Sequence, residues 1–273
     1  MLTSSITRKV IRAFDRSAGE YSLYARFQDE IAQQTAKMAL SHARPGLRIL
    51  DIGCGTGALM GHILPAARPS VAMAMDASAA MVRIAAQRLE PLGAGVIHAR
   101  AEALPFSAGS FDIVVSSLAM QWVADIGPFL AQAARMLRPD GALVAATLGP
   151  GTFPELKLAV SAALEGKAGQ RLNFAADFFP STHRLKEELA RAGFSAEVTQ
   201  SLRPRQYANF YDFIRSLKKV GALGPAALSG AGLARRGFLG RVEKEYAALL
   251  KNRGDSGFTA TYEVIFIKAR REG

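Results

Sequence analysis

Short apolar runs alternate with amphipathic segments through the middle of the chain. Each run has the length of a buried strand, and the segments between them repeat apolar residues at helical spacing, most clearly over residues 78–89 and 126–137. Strands that alternate with helices of this length indicate a parallel sheet covered on both faces. The predicted strands are residues 48–52, 71–75, 96–99, 111–116 and 142–147.

The pattern changes towards both ends of the chain. The first 43 residues have the spacing of helices that precede the first strand. Near the other end, "LKEELARAGF" predicts a helix that ends at Gly193, followed by a strand from residue 195 to about 202. The last predicted strand begins at Thr261. Some 55 residues separate these two strands, far more than a hairpin needs, and they contain helical patterns at 207–220 and 235–250.

The first strand runs into a glycine-rich turn, "DIGCGTG", that opens the next helix. Gly53, Gly55 and Gly57 are spaced G-x-G-x-G, whereas a dinucleotide turn favours G-x-G-x-x-G. A pyrophosphate would use the helix N-terminus, but a sulfonium cofactor presents an ammonium and a carboxylate instead. We expect Asp51 to receive that ammonium and the N–H groups of the turn to face the carboxylate. Asp76, nineteen residues past Gly57, is placed to accept both hydroxyls of a ribose, a position that alone equally suits NAD.

Four segments resemble the class I methyltransferases that use S-adenosyl-L-methionine: "ILDIGCGTG", "MDAS", "AEALPFSAGSFDIVVSS" and "MLRPDGALV". The resemblance implies a Rossmann-like α/β fold, with a mostly parallel seven-stranded sheet, helices on both faces, an N-terminal helical lid and a helical insertion before the last strand. The family commonly places Asp-Ala against adenine after the third strand, where this chain has Arg100-Ala101-Glu102. The N–H of Ala101 can still serve, and Glu102 is either a compensating acid or a solvated one. The implied cofactor residues are Asp51, Gly53, Cys54, Gly55, Gly57, Asp76, Ala77, Ala101, Glu102 and Ser116.

A narrower resemblance covers nearly the whole chain. In order, "FDRSAGEYSLYARFQ", "SSLAMQWV", "TLGPGTFPEL", "RSLKKVGA" and "TYEVIF" are similar to the malonyl-acyl-carrier-protein O-methyltransferases of biotin synthesis, the BioC type. This implies a cytoplasmic enzyme that methylates the free carboxylate of a malonyl thioester on an acidic carrier protein or coenzyme A. It also implies one domain over residues 1–273. Its parts are a lid at 1–43, a cofactor core at 44–150, substrate-side helices and a strand at 151–202, a basic insertion at 203–257 and a final strand and tail at 258–273.

The predicted substrate residues come from three places in the sequence. The family resemblance implies that Tyr21 of the lid closes over the site. Gln121 and Trp122 follow the fourth strand at the edge where such sheets bind ligands, although Trp122 equally suits the core. Arg215 and Lys218 share a helix face and are candidates to pair with the malonyl carboxylate, with a solvated basic face as the alternative.

The sequence offers no clear general base and no metal-ligand cluster. A carboxylate is ionised at neutral pH and needs no base to attack a sulfonium methyl. We expect the four histidines to be structural, and the sequence reveals no carboxylate partner for them; they are His42, His62, His98 and His183. Two other functions remain open at this point: methylation of another small carboxylic acid or a quinone precursor, and a non-methylating complex I assembly factor with this fold.

The net charge of +11 is concentrated late in the chain. Residues 203–257 carry a net charge of +7 and residues 44–150 a net charge of +1. We expect the late segment to attract an acidic carrier protein through its cations, which include Arg203, Arg205, Arg235, Arg236 and Arg241. Nucleic acid is the competing partner, but the segment lacks an interleaved aromatic pattern for stacking bases and carries no recognisable RNA-binding module. The single cysteine suits a reducing compartment, and no apolar run is long enough for a membrane span.

Overall fold

The computed structural model describes residues 4–101, 104–164, 174–219, 236–255 and 257–272. Within them, seven strands form one sheet in the order β3-β2-β1-β4-β5-β7-β6, where the first five strands are parallel and β7 lies antiparallel between β5 and β6. The strands are β1 Arg48–Ile52, β2 Val71–Asp76, β3 Gly95–His98, β4 Phe111–Ser117, β5 Leu137–Leu148, β6 Phe194–Tyr207 and β7 Phe258–Arg271. The predicted α/β fold with a mostly parallel seven-stranded sheet is confirmed.

Helices cover both faces of this sheet. They are α1 Ser4–Tyr24, α2 Arg26–Leu40, α3 Ala58–Ala67, α4 Ala79–Leu89, α5 Ile126–Met136, α6 Pro154–Ala163, α7 Thr182–Arg191, α8 Phe210–Lys219 and, next among the described residues, α9 Arg236–Arg253. Side chains of β5 show how the two layers arise. Val144 and Ala146 face the side packed by α2, α3 and α6, whereas Leu143 and Ala145 face α5 and α7. A strand that is buried on both faces has apolar side chains on both, so it appears in the sequence as a continuous apolar run.

Local signals fix where several helices begin and end. Ser78 precedes α4 in an extended conformation, and its Oγ accepts the N–H of Met81 at 3.2 Å. Ser181 does the same for the N–H of Arg184 at the start of α7. Gly193 follows α7 with φ at 79°, a left-handed conformation that favours glycine. These caps place α4 within one residue of its predicted bounds, whereas α7 begins at Thr182, before the predicted segment.

Strands β6 and β7 are longer than the sequence predicted. They pair over fourteen residues, from Phe194 opposite Arg271 to Tyr207 opposite Phe258. Residues 203–207 therefore belong to a strand and not to the helical insertion. Pro204 conceals this strand in the sequence, and it is tolerated because β6 lies at the edge of the sheet. Within the insertion, α8 and α9 match the predicted helices, and "GALGPAALSGAG" lies outside the described residues.

Candidate active site

A cavity of about 310 Å³ opens at the carboxyl ends of β1, β2 and β4. Its floor is formed by the ends of β1, β2 and β4 and by the residues that follow β1 to β4; these are residues 51–56, 75–77, 99–101 and 117–119. Val10, Phe14 and Tyr21 of α1 cover it, together with Gln28 of α2. Open α/β sheets bind ligands at this edge, where loops leave the strand ends. The turn that the sequence singled out is therefore one wall of a ligand-sized cavity.

Asp51 is the most unusual polar group in the cavity. The residue has no exposed surface, and neither carboxylate oxygen has a hydrogen-bond partner. Burial raises the pKa of Asp51 well above its usual range, and the nearby charge of Asp76 raises it further. A buried carboxylate without a partner is strongly unfavourable when ionised. The cavity is therefore built to receive a cationic or hydrogen-donating group at this position.

The glycines of the turn are needed for different structural reasons. Gly53 has φ at 76°, and a Cβ on it would lie 2.4 Å from the Cβ of Ala119. The N–H of Gly55 donates to Oδ2 of Asp76 at 2.9 Å. Gly57 precedes α3 and does not line the cavity. A Cβ there would meet the side chain of Leu89 on α4. Two glycines therefore shape the cavity, and the third allows two helices to pack closely.

Asp76 and its neighbours form the second side of the cavity. Asp76 also accepts the N–H of Ser78 at 2.8 Å. Burial raises its pKa, although these N–H donors act in the opposite direction. Ala77, Ala101 and Cys54 line the same space, and Glu102 lies outside the described residues. The pKa of the Cys54 thiol is raised well above its usual range, first by burial and then by Asp51, so this thiol stays protonated.

Helix α1 is attached on two sides of the cavity. Oδ1 of Asp15 accepts the hydroxyl of Ser78 at 2.6 Å and the N–H of Ala80 at 3.3 Å, at the start of α4. At the end of α1, Glu20 pairs with Lys219 of α8. Tyr21, next to Glu20, lines the cavity, and burial raises the pKa of its hydroxyl, which therefore remains a donor.

Known proteins resemble this chain over its whole length. The family described as "Methyltransferase domain" matches residues 50–145. A malonyl-acyl-carrier-protein O-methyltransferase of Geobacter sulfurreducens is 33% identical over 266 residues, which cover 97% of this chain and 98% of that protein. This chain belongs to the malonyl-acyl-carrier-protein O-methyltransferase family. A relative of the same name from Laribacter hongkongensis is 34% identical over 96% of this chain and 89% of its own length.

A solved structure supports the fold of this methyltransferase independently. The YcgJ protein of Bacillus subtilis superposes with a TM-score of 0.61 at 16% identity, over 88% of this chain and 99% of that one. At that identity the likeness concerns the fold alone. The described part of the methyltransferase contains no helix that is long and apolar enough to span a membrane.

The residues after β4 are divided between the cavity and the core. Trp122 lines the cavity and packs edge-on against Phe14 of α1, with ring centroids 6.0 Å apart. Gln121 does not line it, because its amide donates to the carbonyl of Leu118 at 2.8 Å and accepts the hydroxyl of Thr147 at 3.0 Å. The structure therefore places Trp122 in the cavity lining and Gln121 outside it.

Two other predicted site residues lie away from the cavity on α8. Arg215 is exposed and pairs with Asp212 at 2.5 Å, and Lys218 is exposed. The opposite face of α8 is buried through Phe213 and Leu217. The cations therefore occupy the outer face of an amphipathic helix, and the structure does not bring them to the cavity.

The basic residues of the late segment are not equivalent. Arg203 and Arg205 lie on β6 and contact α2, where Arg203 donates to Gln34 at 3.0 Å and Arg205 pairs with Glu30. Arg241 is exposed on α9. Arg235 and the side chain of Arg236 lie outside the described residues. Two of the five named cations therefore hold helix α2 in place.

The four histidines lie outside the cavity lining. His62 contacts Asp29 at 3.0 Å and His183 contacts Glu187 at 3.4 Å, so two of them have the carboxylate partners that the sequence did not reveal. His98 contacts the carbonyl of Ala77 at 3.0 Å. Among the residues that the structure describes, no group of three or more His, Cys, Asp or Glu side chains is arranged to hold a metal ion.

Sequence analysis missed several polar residues of the cavity, which include Arg26, Asp29, Thr56 and Arg88. Two more are Ser117 and Gln28. Each has a buried side-chain oxygen without a hydrogen-bond partner. Ser116, which was predicted instead, donates to the carbonyl of Ile52 at 2.8 Å and does not line the cavity. Side chains alternate along a strand, so the choice between two adjacent serines depends on strand parity. Asp51 of β1 aligns with Val115 of β4. Ser117, two residues after Val115, therefore faces the same side of the sheet as Asp51, whereas Ser116 faces the other side.

Proposed function

We propose that this methyltransferase transfers a methyl group from S-adenosyl-L-methionine to the free carboxylate of a malonyl thioester, carried by an acidic carrier protein or coenzyme A, in biotin synthesis. The full-length match to relatives of that name carries the proposal. The buried Asp51 carboxylate supports the cofactor, because both of its oxygens lack partners and suit an ammonium group.

The residues around the cavity fit the parts of this cofactor. Asp51 would accept the ammonium, Asp76 the ribose hydroxyls, and the N–H of Ala101 would face the adenine. No atom lies within 4 Å of the Cβ position of Gly55, so this part of the turn is open to close approach by a ligand. When bound, the cofactor supplies a methyl group on a positively charged sulfur.

The protein then contributes position and exclusion of water. The substrate carboxylate is already ionised near neutral pH, so no residue has to remove a proton. Apolar side chains of the lid and of the segment after β4 line the cavity, including Val10, Phe14 and Trp122. Held in a dry cavity beside the methyl group, the carboxylate oxygen reacts mainly through proximity and orientation.

An assay with labelled cofactor tests the proposal directly. The full chain is mixed with malonyl-carrier protein, malonyl-coenzyme A or free malonate, and base-labile label is measured on each acceptor. Label on a malonyl thioester is the expected result. A protein that binds the cofactor but labels none of the malonyl acceptors would refute the substrate assignment. Restored growth of a biotin-requiring strain tests the pathway.

Asp76→Ala is expected to weaken cofactor binding by about tenfold or more, since it removes an acceptor for two hydroxyls. Titration calorimetry with the cofactor and with its demethylated product measures the effect. Asp212→Ala is the control, because Asp212 lies on the outer face of α8 and should leave cofactor affinity unchanged. Equal affinities for the Asp76 variant and the wild type would contradict the ribose assignment.

Turnover on the carrier protein is expected to fall as salt concentration rises, because the +7 segment attracts an acidic partner through screened charges. Replacing Arg235, Arg236 and Arg241 by glutamine should lower kcat/KM for malonyl-carrier protein about threefold to tenfold at low salt. A small malonyl thioester without a carrier should show little change. Matched replacements at Lys37, Arg83 and Lys186, which are exposed elsewhere, provide the control. Equal losses of kcat/KM in both triple variants would show that the basic segment has no specific role in attracting the carrier protein.

A further inference from the structure

Unpartnered polar atoms are concentrated in the cavity. Among the described residues, buried side-chain oxygen or nitrogen atoms without a hydrogen-bond partner occur in Gln28, Asp51, Ser117 and Arg205. The first three of these residues line the cavity. Most buried polar groups in proteins are hydrogen-bonded, so three such residues in one cavity indicate partners supplied by ligands. The cofactor accounts for Asp51, and Gln28 and Ser117 remain to be explained.

The order of the strands places Ser117 beyond the proposed cofactor residues. Asp76 ends β2, Asp51 lies near the end of β1, and Ser117 ends β4, on three successive strands about 4.8 Å apart. Asp51 aligns with Val115, and Ser117 follows Val115 by two residues on the same face. Ser117 therefore lies across β1 from the acid assigned to the ribose, on the side where Trp122 lines the cavity.

The chemistry of these two side chains suits a carboxylate that must remain reactive. The Ser117 hydroxyl donates one O–H. Rotating the Gln28 amide by half a turn exchanges its oxygen and nitrogen without changing its shape, and its two N–H groups can then donate into the cavity. A directly paired arginine or lysine would stabilise the negative charge most strongly before reaction, when that charge is still present, and would slow the transfer. Neutral donors orient the oxygen while stabilising the charged ground state less, so they slow the transfer less.

We propose that Ser117 and Gln28 bind the malonyl carboxylate and direct one of its oxygens at the methyl group, an inference that rests on the proposed function. The carboxylate oxygen forms a bond to the methyl carbon as the carbon–sulfur bond breaks. The electron pair of that bond goes to sulfur, the sulfur loses its positive charge, and the substrate becomes a neutral methyl ester. No proton moves in this step, so neither residue acts as a base.

The experiment uses the full chain with Ser117→Ala and Gln28→Glu. Ser117→Ala should raise the KM for malonyl-carrier protein about tenfold, since a substrate oxygen loses its donor, and Ser117→Thr, which retains the hydroxyl, should recover most of this loss. Gln28→Glu should raise the KM about 100-fold, because it places a like charge against the substrate. Calorimetric affinity for the cofactor should change less than about twofold in the Ser117 variants. Gln33→Glu, on the exposed face of the same helix, is the control for added charge.

Several outcomes would overturn the inference. Tighter cofactor binding by Gln28→Glu, with an unchanged KM for the malonyl substrate, would show that Gln28 faces the cofactor's ammonium. An unchanged KM in both variants would exclude a substrate role for these residues while leaving the proposed function intact. A wild-type protein that binds the cofactor but methylates no malonyl thioester would refute the proposed function and this inference together. Thermal unfolding of each variant identifies losses that come from misfolding.

Discussion

Asp51→Asn is expected to stabilise the fold and to weaken cofactor binding at least about 100-fold. The stabilisation, about 1–2 kcal/mol at pH 8, follows because a buried carboxylate without partners is replaced by a neutral group of the same shape. The loss of binding follows because the cofactor's ammonium loses its buried counter-charge, worth about 3 kcal/mol or more. Chemical denaturation and calorimetry measure the two effects separately.

The pH dependence of stability should change in the same variant. Burial raises the pKa of Asp51, so the folded wild-type protein binds this proton more tightly than the unfolded chain does. The free energy of unfolding should therefore fall as the pH rises from about 4, the unfolded value, through the raised folded pKa. Asp51→Asn removes this contribution, and its stability should decline less over that range.

Asp112 provides the matched control for Asp51. It is also buried, but its oxygens accept from Arg44 at 2.5 Å, from the N–H of Arg48 at 2.8 Å and from Arg138 at 2.6 Å. Asp112→Asn should therefore destabilise the protein and leave cofactor affinity unchanged. If Asp51→Asn and Asp112→Asn changed stability in the same direction, the lack of hydrogen-bond partners at Asp51 would not explain the effect of its substitution.

Gly53→Ala is expected to lower the free energy of unfolding by about 3 kcal/mol or more and to abolish measurable cofactor binding. Two costs combine at this position. The backbone has φ at 76°, and the new Cβ would lie 2.4 Å from the Cβ of Ala119. Relief of that contact must move the turn or the segment after β4, both of which line the cavity.

Gly46→Ala separates the conformational cost from the steric one. Gly46 has φ at 73°, but no atom lies within 4 Å of its Cβ position. The free energy of unfolding of the Gly46→Ala variant should fall by only about 1 kcal/mol, and its cofactor affinity should be retained. Comparable losses in the two variants would show that backbone conformation alone makes glycine necessary at Gly53.

The sequence predicted the central fold because local signals and tertiary structure agree there. Apolar runs mark the strands that are buried on both faces, and the glycine turn marks the edge where the cavity opens. The family resemblance supplied the number of strands and the lid. Prediction failed for the end of β6, because an edge strand with alternating polar residues and Pro204 has no apolar run to reveal it. The start of β7, which pairs with that part of β6, was missed with it.

Site residues were harder to predict, since proximity in sequence does not show where a side chain points. Strand parity separates Ser117 from Ser116, and internal hydrogen bonds remove Gln121 from the cavity. Arg215 has the charge of a substrate ligand but lies on the solvent face of its helix. Gln28 lies on a helix that reaches the cavity only through packing onto the sheet, so no signal near it in the sequence indicated its position.

The long ladder between β6 and β7 has a consequence for how such proteins diversify. The chain leaves the sheet at Tyr207 and rejoins it at Phe258, and these two residues are paired directly opposite each other. The connection between them can change in length outside the packed faces of α8 and α9 with no shift in strand register. The cost of closing the longer loop grows only slowly with the number of residues. The length of this excursion can therefore vary without disturbing the parallel strands whose carboxyl ends form the cavity.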